Sequence, residues 1–230
     1  AATVVSLGAM TINSGGGNIS VTGNDSNAGA TTGITQTGAI TDNANGGNIS
    51  FVSNNKIAQA GAITLVANTS GTASSITFNT TNGNYLSTLV SGAITITGSS
   101  TSPINFIALS NGAPITAGAI TMPGYIRLDN TCYGCTTAGV SDLTATNVIA
   151  TPTPNATTSS AITLGGNLTS GVGIYLNGIN SGTAVVVSLG TFNLTITSAA
   201  SFPTADVAAI SVIGNHKTSN AGNPGISSSG

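Results

Sequence analysis

Charge is what this chain has least of. Of 230 residues only 3% are Asp, Glu, Lys or Arg, where an ordinary domain carries about a quarter. The acids are Asp25, Asp42, Asp129, Asp142 and Asp206, with no Glu, and the bases are Lys56, Arg127 and Lys217. A net charge of −2 leaves no basic footprint for nucleic acid or anionic lipid. Tryptophan is absent, Phe and Tyr together number nine, and there is one His and two Cys. No run of 18 apolar residues occurs, so no helix is expected to span a membrane. No charged or apolar leader precedes Ala1, as expected of a mature or excised segment of a secreted protein.

These shortages narrow the chemistry. A Ser-His-Asp triad would have to be built on His216, which stands beside Lys217 in a polar run. Glycoside hydrolysis would need two of five scattered aspartates to converge; Asp25 and Asp42, each after a strand, are the pair that successive repeats could bring together. Turn residues are the simpler reading of both. No metal or organic cofactor is implied. The pair Cys132-Tyr133-Gly134-Cys135 lacks the following helix that would activate a thiolate, and one His supplies too few further ligands for zinc. A disulfide that tightens a loop is expected, with an intermolecular link as the alternative. Eight Asn-x-Ser/Thr sequons occur, at Asn18, Asn24, Asn48, Asn68, Asn79, Asn155, Asn167 and Asn193. A chain this rich in Asn, Ser and Thr yields many of them from composition alone.

What is present is a repeat. Gly-Ala-(Ile/Met)-Thr begins at Gly8, Gly38, Gly61, Gly92 and Gly118, at intervals of 30, 23, 31 and 26 residues. A second track has alternating apolar pairs, Ile19/Val21, Ile49/Phe51, Ile76/Phe78 and Ile104/Phe106. A third is Ile34-x-Gln36-x-Gly38 and Ile57-x-Gln59-x-Gly61, each running into the first. Period-2 alternation bounded by Gly and Asn reads as strand. Three strands per 23–31 residues, with like strands one repeat apart, predict an all-β parallel β-helix, or β-solenoid. An antiparallel sandwich is the competing arrangement.

Stacking the repeats predicts a core ladder of Met10, Ile40, Ile63, Ile94 and Ile120, another of Ile19, Ile49, Ile76 and Ile104, and one interior column of Phe51, Phe78 and Phe106. Eight or nine coils are expected, about 40 Å long at the usual strand spacing. The regular repeat covers 1–122. An irregular, loop-bearing insert is expected over 123–159, resumed repeats over 160–213, and a flexible tail or linker over 214–230, so that 1–214 is one solenoid.

The alternation of GAITL and GNISF, with Gly-Asn turns and almost no charge, resembles the repeats of filamentous-haemagglutinin-like and autotransporter-type bacterial adhesins. The resemblance covers residues 8–122 best and 160–196 more loosely. It implies a right-handed coil, secretion to the cell surface, and a role in adhesion, surface coats or biofilm matrix, and it carries over no catalytic residue. The expected function is therefore a non-catalytic extracellular structural protein, a surface adhesin segment or a filament subunit joined head-to-tail through open ends. Its partners would be further copies, the rest of a longer exoprotein, or a cell-surface or matrix target. A ligand-binding solenoid, for ice or glycan, is the alternative. Thr95-Ile96-Thr97 and Thr195-Ile196-Thr197 are read as isolated runs rather than a regular array. A polysaccharide-active enzyme is the least favoured reading, since such chemistry uses charged groups this chain nearly lacks.

Overall fold

In the computed structural model the described residues are 3–23, 32–54, 56–67, 74–80, 88–90, 92–97, 104–110, 114–130, 160–171, 173–180, 184–197, 210–216 and 225–229. They form strands and connections with no helix. Strands are numbered β1–β22 in chain order, and every pairing between them is parallel.

The first sheet runs β1 (Val5–Leu7), β4 (Thr32–Gln36), β7 (Lys56–Gln59), β10 (Thr88–Val90), β13 (Ile115–Ala117), β16 (Ile162–Leu164), β19 (Val187–Ser188) and β22 (Ile226–Ser227). The second runs β2 (Met10–Ile12), β5 (Ile40–Gly46), β8 (Ile63–Ala67), β11 (Ile94–Thr97), β14 (Ile120–Met122), β17 (Leu168–Ser170) and β20 (Leu194–Ile196). The third runs β3 (Ile19–Thr22), β6 (Ile49–Val52), β9 (Ser74–Thr80), β12 (Ile104–Ser110), β15 (Tyr125–Asp129), β18 (Gly173–Asn180) and β21 (Ile210–His216). Each strand thus pairs with the third one before and after it. The antiparallel sandwich is ruled out. One strand from each sheet makes a rung.

Inward residues of all three sheets meet in one cluster, which includes Ile34, Ile57 and Ile115 of the first, Ile40, Ile63 and Ile94 of the second, and Ile49, Phe51 and Phe78 of the third. Rungs share this core because no single rung closes over its own apolar side chains. The described strands make seven rungs plus β22, fewer than the eight or nine expected. The difference shows between β15 and β16. There β13, β14 and β15 pair directly with β16, β17 and β18, so no strand intervenes in any ladder. An eight-stranded parallel sheet is about 34 Å long at the usual spacing.

Two further expectations need correcting. Phe106 does not continue the Phe51–Phe78 column. It is in register with Ile76, Ile104 is in register with Ser74, and Phe78 is opposite Ala108. A slip of two residues keeps the same side chains on the same face, so alternation cannot distinguish these registers. The residues from 214 are not simply a linker either. Gly214 to His216 complete β21, where His216 pairs with Asn180, and Ile226–Ser227 join the first sheet beside Val187–Ser188. A two-residue strand leaves no readable periodicity, but the Val187 and Leu189 N–H groups donate to the carbonyls of Gly225 and Ser227, both at 2.9 Å.

Candidate functional site

Strand β15 carries the ion pair found among the described residues. Ile126 and Leu128 point into the core, so Tyr125, Arg127 and Asp129 alternate onto the other face. They are nonetheless buried, Arg127 at 5% and Asp129 at 2% exposure. The guanidinium Nη2 donates to Asp129 Oδ2 at 2.8 Å. Register sets Tyr175 opposite Arg127 and Asn177 opposite Asp129. The guanidinium carbon lies 5.9 Å from the Tyr175 ring centre, and Asn177 Nδ2 approaches Asp129 Oδ1 at 3.5 Å. Burial first, then the Asp129 carboxylate, pushes the Tyr175 hydroxyl pKa above its ordinary 10.0, while Arg127 and a hydrogen bond with Asn177 pull it down. Next along the chain, Asn130 uses its amide as a surrogate peptide. Its Oδ1 accepts from the Ile179 N–H at 2.8 Å, and its Nδ2 donates to the Ile179 carbonyl at 3.2 Å. The cluster ties two rungs together. Its two charged groups are buried and engaged with each other.

Polar side chains also hold the corners between sheets. Gln36 and Gln59 stand in register inside the first sheet. Their Nε2 groups donate to the carbonyls of Gly38 and Gly61 respectively, and Gln59 Oε1 accepts from the Gly92 N–H of the next rung at 3.1 Å. That is the physical content of Gln-x-Gly: a buried amide satisfies backbone groups that leave the ladder at the bend. Asn18 Oδ1 accepts from the Asn48 N–H at 3.0 Å, and Asn167 Oδ1 from the Asn193 N–H at 2.9 Å. Glycine is required where rungs touch. A Cβ at Gly38 would overlap the Ala9 backbone, one at Gly61 the Gly38 carbonyl, and one at Gly166 the Ala119 backbone. At Gly8, in the first rung, a Cβ would meet nothing within 4 Å.

The residues singled out in the sequence fall as follows. Met10, Ile40, Ile63, Ile94 and Ile120 form one unbroken column in the second sheet, which Leu168 and Leu194 extend. Ile19, Ile49 and Ile76 are in register in the third. Asp42 is a strand residue in register with Ile12 and Leu65. Cys132, Cys135, Asp25, Asp142, Asp206 and Lys217 lie outside the described residues. Among the described residues no three His, Cys, Asp or Glu come together. The Arg127–Asp129–Tyr175 cluster escaped sequence reading because its two strands are separated by 43 residues, of which 131–159 break the repeat.

The outer face of the second sheet carries the most regular surface. Thr11, Thr41, Thr64, Thr95, Thr121, Thr169 and Thr195 are in register, strand after strand, without interruption. Beside them, exposed Ala9, Ala39, Ala62, Ala93 and Ala119 keep step. The N–H after each alanine from Met10 to Ile94 donates to the alanine carbonyl of the next rung, at 2.9 Å.

The chain matches no protein-family model, no curated protein and no solved structure. The fold defines a class, an all-β protein of three parallel sheets sharing one core.

Proposed function

We propose that this chain is a non-catalytic structural module of an extracellular bacterial surface protein, an adhesin segment or filament subunit. In this reading the three sheets wind as a right-handed parallel β-helix, the hand taken by about 98% of parallel crossovers. The repeat's resemblance to haemagglutinin-like exoproteins supports the extracellular setting.

The observation that carries the reading is the state of the end rungs. Val5, Leu7, Met10, Ile12, Ile19 and Val21 point inward in the first rung but are only partly buried. Their counterparts one rung on, Gln36, Ile40, Ile49 and Phe51 among them, are buried. Among the described residues β1, β2 and β3 each pair on one side only. Among the described residues no Lys, helix or proline blunts those strands, as edges are usually blunted. Low charge removes the repulsion that would oppose end-to-end stacking. A rod built this way extends by adding rungs, in its own chain or in a neighbour.

Negative-stain electron microscopy and sedimentation of the purified chain test the filament form. Filaments with an axial repeat near 4.8 Å support it, and a strictly monomeric short rod at high concentration sinks it. Antibody labelling of intact producing cells tests the location, and label confined to lysed cells overturns it.

A further inference from the structure

We propose that the threonine face of the second sheet is a binding surface for ice. The inference goes beyond the structural role and does not depend on end-to-end assembly.

The repeat intervals of the GAIT motif vary from 23 to 31 residues, which suggests a ragged surface. The threonine column of the second sheet nevertheless stays in register. The column even continues from Thr121 to Thr169 and Thr195, where Asn-Leu-Thr replaces Gly-Ala-Ile-Thr at Asn167–Thr169 and Asn193–Thr195, and the threonine still falls in line. Seven hydroxyls and seven methyls therefore repeat at roughly the 4.8 Å strand spacing. Threonine is β-branched and stiff at χ1, so each side chain presents its two groups with little rotamer freedom to lose. Thr11, Thr121 and Thr195 are exposed, and the four between them are half-exposed. The accompanying alanines are all exposed, giving short apolar ground beside five of the seven hydroxyls, and exposed Asn167 and Asn193 stand beside the other two.

A ligand that engages seven identical groups in step must itself be periodic, and chemistry selects among periodic solids and polymers. No charged residue occupies an alanine or threonine position of this face, so it lacks the ion pairs that a mineral or an anionic polymer would need. Nor is there an aromatic ring at those positions on which a sugar could stack. What remains is a neutral lattice of hydrogen-bond donors and acceptors with gaps that accept methyl groups. Water in ice meets that description, with oxygen rows that repeat at close to the strand spacing. Hydroxyls that bridge through ordered water lose little against direct contacts.

The test is thermal hysteresis and inhibition of ice recrystallisation by the purified chain. Two double variants add the same charge: Thr64→Lys with Thr95→Lys on the column, and Thr116→Lys with Thr163→Lys on adjacent outer positions of the first sheet. Circular dichroism and thermal unfolding establish that both fold. The unaltered chain and the first-sheet variant are expected to arrest ice growth, and the column variant to lose that activity. No hysteresis from the unaltered chain at about millimolar concentration overturns the proposal, as does equal loss in both folded variants. Retention of the unaltered chain on crystalline cellulose, with no effect on ice, overturns it in favour of a polysaccharide surface.

Discussion

Phe78 lies flat on Phe51, with ring centroids 4.7 Å apart and planes 6° from parallel. The two rings sit in register on adjacent strands of the third sheet and are fully buried. Truncation of Phe78 to Ala should cost about 3–5 kcal/mol, because neighbouring rungs hold the cavity open. A double-mutant cycle with Phe51→Ala should return a coupling of about 0.5–1.5 kcal/mol from the stack. Urea unfolding at neutral pH measures both, and a coupling near zero would show that the rings act only as filler.

The corner glycines divide into two kinds. Gly61→Ala forces a methyl into the Gly38 carbonyl and should destabilise by about 2 kcal/mol or more. Gly8→Ala meets open space and should change stability by less than about 0.5 kcal/mol in an isolated chain. If rungs stack below Gly8 in filaments, the same substitution should block assembly while leaving the melting temperature unmoved.

Removing one partner of the buried ion pair strands the other. Asp129→Ala leaves the Arg127 guanidinium without its carboxylate and should cost about 3–5 kcal/mol. The double replacement Arg127→Met with Asp129→Leu should recover most of that loss, since apolar side chains of similar volume often serve as well in a buried site. Recovery of nothing would mean that the pair's hydrogen bonds hold the rungs in register.

Tyr175 predicts the alkaline behaviour. The folded chain holds its hydroxyl proton more tightly than the unfolded chain does. That contribution is therefore intact below the ordinary pKa of 10.0 and is lost as pH rises through it toward the raised folded value. The unaltered chain should lose stability above about pH 10 more steeply than Tyr175→Phe. Parallel urea curves of the two proteins across that range would refute the assignment.

Among the described residues, strand β22 gives the first sheet one strand more than the other two. A neighbour stacked in step on β20 and β21 meets β22 one strand early. If copies stack end to end, a chain shortened to end at residue 224 should assemble faster than the full one, as followed by sedimentation. Slower assembly would mean that β22 is part of the joint.

Much of the fold was legible because its determinants are local. Alternating Ile, Thr and Val with glycine at fixed offsets encodes strands and bends, and a repeat longer than a hairpin encodes parallel pairing. Buried Gln36 and Gln59 were visible as a motif, although their role was not. They act through backbone groups of Gly38, Gly61 and Gly92, which come within reach only at the folded corner.

The sequence by itself determined the class, through apolar residues at every second position that bury only when rungs stack. Tertiary structure decided register and neighbourhood. It paired Phe106 with Ile76 rather than Phe78, set Arg127 against Tyr175 across a break in the repeat, and brought β22 back to the first sheet. It also aligned Thr169 and Thr195 with the five threonines of the GAIT motif. The reason is that strand periodicity specifies which face a residue occupies, whereas its partner depends on how much chain each connection takes up between rungs.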